Sequence, residues 1–198
     1  AGGDVGHGLG ATPEFLVFKS TNNTGTTSWN VWNKNLSSST HYLSLDGSAA
    51  ESSAASNFSG TWNTTVFGLT STPLATGAQV IALAFRSVTG FSKIGSYVGN
   101  GSSDGPFVYC GFRPRWIMAR TVTTTASWLI IDASRSNYNV SSASLFADTY
   151  DLESSATVRL DILSNGFKIR DSNSVINNAN TCIFIAFAET PFKYANAR

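Results

Sequence analysis

Residues 8–19 read Gly8-Leu-Gly-Ala-Thr-Pro-Glu-Phe-Leu-Val-Phe-Lys19, and residues 109–120 read Tyr109-Cys-Gly-Phe-Arg-Pro-Arg-Trp-Ile-Met-Ala-Arg120. Setting Pro13 on Pro114 also sets Gly10 on Gly111, Phe15 on Trp116 and Lys19 on Arg120. Further along, Trp29-Asn30-Val31-Trp32-Asn33 falls on Trp128-Leu129-Ile130-Ile131-Asp132, and Glu51-Ser52-Ser53-Ala54 on Glu153-Ser154-Ser155-Ala156. Each copy then carries a long apolar run, Ala78–Phe85 and Thr181–Phe187, and closes on Gly90-Phe91-Ser92-Lys93 or Pro191-Phe192-Lys193-Tyr194. The period is about 101 residues, much longer than a solenoid repeat, which points to a duplicated domain.

Short runs rich in Val, Ile, Phe, Trp and Thr, bounded by Gly, Asn, Ser and Asp, form the strand pattern. It predicts strands at about 14–19, 29–33, 41–46, 64–70, 78–86, 106–110, 115–120, 128–132, 143–147, 158–163, 166–170 and 181–188. Alternation in Trp29–Trp32 and Tyr42–Leu45 gives each of those strands one buried face. The runs at 78–86 and 181–188 are almost continuously apolar, as central sandwich strands are. Ser164-Asn165-Gly166 reads as a hairpin turn, since Asn-Gly accepts positive φ cheaply. The Ala content of Ser48–Ser59 is helix-like, but its Ser density argues for a loop or one helical turn.

The expected fold is therefore all-β: an antiparallel β-sandwich, jelly-roll-like or concanavalin-like, built from two tandem repeats. The repeats span 1–98 and 106–198, packed tightly across a short joint at 99–105, either as two small sandwiches or as one fused sandwich.

Composition agrees with this reading. Lys+Arg total 13 against 12 Asp+Glu, for a net charge of +1, so the chain lacks the basic stripe of an electrostatic nucleic-acid binder. About a quarter of the 198 residues are Ser or Thr. With 13 Phe, 6 Tyr and 5 Trp, the chain has more to bury than a disordered one does. No apolar run of about 20 residues exists, so membrane insertion by a helix is not expected. The start at Ala1 suggests a fragment or a processed product. Cys110 and Cys182 lie inside apolar runs and read as buried thiols rather than a disulfide. Six Asn-x-Ser/Thr triplets, at Asn22, Asn35, Asn57, Asn63, Asn100 and Asn139, are what chance gives in so polar a chain.

The sequence proposes no catalytic residue, no metal site and no cofactor. His7 and His41 are the two histidines, and neither stands beside a nucleophile or a carboxylate motif. His7 has Val108 or Tyr109 in its place in the second copy, so the duplication does not keep it. A Gly-x-Ser-x-Gly elbow is absent, and Gly6-His7-Gly8-Leu9-Gly10 precedes a strand rather than opening a helix, which makes it a poor phosphate cradle. Asn100-Gly-Ser-Ser-Asp104-Gly105 resembles an oxygen-rich calcium loop but lacks its spacing and distal Glu, so it reads as a turn.

Aromatics separate into two groups. Those that recur between copies (Phe15 with Trp116, Trp29 with Trp128) read as core, and Pro13 and Pro114 as fixed entry points. Trp32, Trp62 and Tyr138 have no aromatic counterpart and are the candidates for receptor contact, together with Asn100 and Asp104 in the polar joint.

These residues also carry a resemblance. Gly6–Gly10 followed by Pro13 and Lys19, then Gly90-Phe-Ser-Lys-Ile-Gly-Ser-Tyr-Val-Gly-Asn-Gly101 running into Asp104-Gly-Pro-Phe-Val-Tyr109, form its first part. Gly111-Phe-Arg-Pro114, Phe167-Lys-Ile-Arg170 and the ending Ala186-Phe-Ala-Glu-Thr-Pro-Phe-Lys-Tyr-Ala-Asn-Ala-Arg198 complete it. Over nearly its whole length the chain resembles the duplicated β-rich domain at the C-terminal ends of tailed-phage tail-fibre and other virion proteins.

The resemblance implies a non-enzymatic virion component of a bacteriophage. Its partners would be other virion subunits and a host-surface glycan or protein, and a symmetric homo-oligomer such as a trimer is compatible with that. Host attachment by a tail fibre or similar appendage is the first expectation. A structural capsid-decoration, head-fibre or tail-assembly role is the alternative, and a glycan depolymerase a distant third for want of an acid–base pair.

Overall fold

The computed structural model describes residues 3–22, 28–53, 58, 60–69, 78–136, 138–155, 157–172 and 174–190. The chain divides into two compact units, Ala1–Arg86 and Ser87–Arg198. Both are built from antiparallel sheets. Among the described residues no helix is long and apolar enough to cross a membrane.

The first unit contains β1 (Gly3–Gly6), β2 (Phe15–Ser20), β3 (Asn30–Asn33), β4 (His41–Ser44), β5 (Ser52–Ser53), β6 (Val66–Leu69) and β7 (Val80–Phe85). Its larger sheet runs β5-β4-β3-β2-β7, and β1 pairs with β6. Leu16 and Phe18 of β2 and Trp32 of β3 meet Phe67 and Leu69 of β6 and the ring of Phe58 in one core. The period-2 alternation of β2 puts these side chains on one face.

The second unit contains β8 (Ser92–Val98), β9 (Phe107–Tyr109), β10 (Pro114–Thr121), β11 (Leu129–Asp132), β12 (Ser144–Phe146), β13 (Leu160–Leu163), β14 (Gly166–Ile169), a helical turn α1 (Ser174–Asn177) and β15 (Thr181–Ala188). Its sheets run β12-β11-β10-β15-β8 and β13-β14-β9. Ile117, Leu129, Ile131 and Phe184 from the first sheet pack on Leu160, Ile162, Phe167 and Ile169 from the second, which makes a sandwich.

One register serves both units. Phe15 stands opposite Asn33 on β3 and Phe85 on β7, while Trp116 stands opposite Asp132 on β11 and Phe187 on β15. Loops agree as well: Lys34 N donates to the Glu14 carbonyl and Ala133 N to the Arg115 carbonyl, at 3.0 and 2.8 Å.

Two expectations need correction, and a third holds for another reason. The boundary between units falls at Arg86 and Ser87, not at 99–105, because residues 92–98 form a strand that pairs with β15 along its length. The loop at 99–105 therefore lies inside the second unit. Within Ser48–Ser59, Ser52–Ser53 is a short strand and the one helical turn among the described residues lies at Ser174–Asn177; residues 54–57 and 59 are outside the described residues. The hairpin turn expected at Ser164-Asn165-Gly166 is there, with Leu163 paired to Gly166 at the start of β14, but the reason for the glycine differs: a Cβ on Gly166 would collide with the Val108 carbonyl oxygen. The glycine serves close approach of β9 rather than a positive φ.

Cys110 and Cys182 are free and buried, as the apolar runs around them imply. Burial pushes the Cys110 thiol up to about 12 and that of Cys182 up to about 11. At pH 8 we expect a disulfide reagent to label neither thiol at an appreciable rate in the folded chain and both on unfolding in guanidinium. Unfolded thiols ionise near pH 8.5 and folded ones much higher, so this part of the stability falls as pH rises from about 9 toward 11.

Candidate functional site

The loops that leave these sheets are braced in each unit by a cation, a tryptophan and an aspartate at matching positions. In the first, Lys19 Nζ lies 5.6 Å from the Trp29 ring centre, and Trp29 N–H donates to both Asp46 carboxylate oxygens at 3.2 Å. In the second, the Arg120 guanidinium lies 5.2 Å from the Trp128 ring, and Trp128 N–H donates to Asp148 Oδ1 at 2.8 Å. Leu45 N and Ala147 N return hydrogen bonds to the Trp29 and Trp128 carbonyls. Arg120 is fully buried; burial lowers its pKa to about 10, opposed by Asp148, so it keeps its charge at neutral pH. The ring face supplies part of what water would.

The far ends of the same loops are held by Glu51, whose Oε2 accepts from Ser37 N at 3.0 Å, and by Glu153, which pairs with Arg135. Between the anchors the first unit has Gly47-Ser48-Ala49-Ala50 and the second has Thr149-Tyr150-Asp151-Leu152. Tyr150 and Leu152 are 103% and 92% exposed. Nothing in the shared brace calls for large apolar groups there, since small residues occupy the same frame in the first unit.

Arg135 joins this loop to a second one. The stretch between Asp132 and Ser144 is three residues longer than that between Asn33 and Tyr42, and it carries Tyr138, 86% exposed, and Val140. Its backbone is pinned on both sides of the tip. Asn139 Nδ2 donates to the Ile162 carbonyl and Asn139 Oδ1 accepts from Ile162 N, both at 2.9 Å, while Ala143 N donates to Ser136 Oγ at 3.1 Å. The two loops thus present Tyr138, Tyr150 and Leu152 to solvent from anchored backbones. Such preordering lowers the entropic cost of contact.

Other candidates fare differently. Trp32 is buried in the core of the first unit, not on a contact surface. Its Nε1 donates to the Ser39 carbonyl at 2.9 Å, and its ring centre lies 4.4 Å from that of Trp62, which packs partly buried against the same core. These two rings lack counterparts in the second unit because they pack on each other.

Asn100 is a brace: its Nδ2 donates to the Asp104 carbonyl at 3.0 Å and its Oδ1 accepts from Ser102 N at 3.0 Å. Asp104 stays on the surface, 2.8 Å from Lys168 Nζ, whose hydrogen bond lowers its pKa. These hydrogen bonds hold 100–105 as a turn.

Among the described residues no group of three or more His, Cys, Asp or Glu is placed to hold a metal. His7 accepts from Leu9 N at Nδ1, faces the Asn63 carbonyl at 3.2 Å through Nε2, and stacks on Phe67. It closes the entry to the first unit. Tyr150 and Leu152 were not among the sequence candidates. Comparing the copies between Asp46/Asp148 and Glu51/Glu153 would have found them, by the mismatch test that selected Tyr138.

Fold and loops together define an all-β protein of antiparallel sheets that displays anchored loop tips. Over residues 1–191 the chain matches the model of a family described as a domain of unknown function, DUF7483, and it belongs to that family. No curated protein and no solved structure matches it.

Proposed function

We propose that the chain is a non-enzymatic module of a tailed-phage virion, carried on a tail fibre or similar appendage, that attaches to the host surface. The carrying observation is the exposed set Tyr138, Tyr150 and Leu152 on two loops tied by Arg135 and Glu153. Flat rings with a polar edge suit sugars and protein surfaces alike, and a near-neutral chain leaves attachment to stacking and hydrogen bonding rather than electrostatic steering. The resemblance to virion domains supplies the context. We further propose that the two units are tandem copies of one module; the common register and the repeated Lys/Arg–Trp–Asp brace support this.

The test is retention of the purified chain on surface fractions from a panel of bacteria, with antibody labelling of particles in parallel. Saturable retention on some fractions and labelling of the tip on intact particles are expected. No retention anywhere, with the tip masked on particles, would replace attachment by a structural role against other virion subunits.

A further inference from the structure

β9 ends the smaller sheet of the second unit, and its three residues divide by the period of a strand. Val108 enters the core, while Phe107 and Tyr109 stand on the outer face, 45% and 63% exposed. Each ring rests beside a glycine. A Cβ on Gly166 would come within 3.2 Å of the Phe107 ring, and one on Gly111 within 3.5 Å of the Tyr109 hydroxyl. Gly111 has a φ of +82°, where a side chain would be strained. The absence of side chains at these two places leaves room for both rings to lie along the sheet.

The rest of this face is charged and internally paired. Lys168 stands opposite Phe107 on β14, and Asp161 opposite Lys168 on β13. Lys168 Nζ lies 2.8 Å from Asp104 Oδ1; Arg170 reaches the same oxygen at 3.7 Å and Asp161 Oδ2 at 2.6 Å. Lys168 also donates to the Gly105 carbonyl at 2.9 Å. These cations and carboxylates balance. The Asp104 side chain is nevertheless 81% exposed, and its Oδ2 has no partner among the described residues.

We propose that this face binds a neutral glycan, with sugar rings stacked on Tyr109 and Phe107 and a hydroxyl donated to Asp104 Oδ2. It is a second contact surface, built on other elements than the loops of Tyr138 and Tyr150. The chemistry of the face chooses the ligand. Aromatic rings offer flat apolar contact, and a few fixed polar groups beside them orient what binds. Balanced charges leave a net anion or cation nothing to pair with. The area is also small. Aromatic side chains present roughly 150–250 Å² each, so these two together expose on the order of 200 Å². A standard protein interface takes about 800 Å² from each partner. Asp104, singled out in the sequence by its polar setting, is linked through Lys168 to the aromatic neighbours such a contact needs.

The test is a titration of the full chain, followed by its backbone amide resonances, with neutral glucan, mannan and galactan oligosaccharides and with oligogalacturonate as the acidic comparator. At least one neutral oligosaccharide should shift the amides of Phe107, Tyr109 and Lys168 saturably, and oligogalacturonate should shift them less. Tyr109→Ala should weaken that binding about fivefold, as expected for the loss of one ring contact. Asp104→Ala should weaken it as well, and because both side chains face solvent the rest of each spectrum should match the parent's. No saturable shift at these amides with any neutral oligosaccharide, a stronger response to the acidic one, or parent affinity in both variants would overturn the proposal. Shifts at Tyr138 and Tyr150 in the same spectra report on the loops by themselves, so failure at β9 leaves the attachment reading to its own test.

Discussion

Replacing Asp171 by alanine is expected to cost about 3–5 kcal/mol of stability, the largest effect of any single substitution considered for this chain. Asp171 Oδ2 and Arg159 Nη1 are 2.5 Å apart, with side chains only 4% and 7% exposed. Arg159 Nε finds no hydrogen-bond partner among the described residues, and the guanidinium lies 5.8 Å from the Phe146 ring. Removing the carboxylate strands a cation in the interior of the second unit, and its lost hydration is no longer offset. Removing both charges should not cost as much. Arg159→Met combined with Asp171→Leu is expected to recover most of the loss, because an apolar pair of similar volume avoids the desolvation. Urea unfolding of the three proteins checks this. A cost below about 1 kcal/mol for Asp171→Ala would mean that the pair is hydrated in solution.

Asn177→Leu is expected to cost about 2–4 kcal/mol and to open the 99–105 loop to proteases, since each buried polar group left without a partner costs roughly 1–3 kcal/mol. The Asn177 side chain is fully buried and holds three backbone groups. Nδ2 donates to the carbonyls of Ser102, at 2.6 Å, and Asp171, at 2.7 Å, while Oδ1 accepts from Asn100 N at 2.9 Å. Gly99 and Gly105 pack so closely here that a Cβ on Gly99 would strike the Asn177–Asn178 backbone and one on Gly105 would strike Ile169. Leucine fills the volume but satisfies none of the three groups. Limited proteolysis should cut at Gly101–Ser103 in the variant and spare the parent, and a cut at equal rates would show that the loop is not held by Asn177.

Most strands were legible because aromatic and β-branched residues alternate between glycine and asparagine stops. β8 was not. Its stretch reads only as the close of the first copy, whereas in the fold Gly95 in its middle makes room for the Phe184 ring on the neighbouring strand. Composition at 99–105 correctly marked a loop but not a boundary, because Gly, Ser and Asn signal a turn whichever unit closes it. What closes this one is Asn177, some 75 residues further on. For the site, absence of a counterpart in the other copy picked out Tyr138, and the fold leaves its side chain exposed. The same test misplaced Trp32, whose partner Trp62 is remote in sequence. Tyr150 and Leu152 needed the two anchors, Asp148 and Glu153, before their exposure had meaning.

The most direct test of the attachment surface is a triple substitution, Tyr138→Ala, Tyr150→Ala and Leu152→Ala, in the full chain. All three side chains face solvent, so the melting temperature should match that of the parent. Retention on the bacterial surface fraction that binds the parent should drop at least tenfold. Retention equal to the parent's, at an unchanged melting temperature, would contradict the assignment of the contact to these loops.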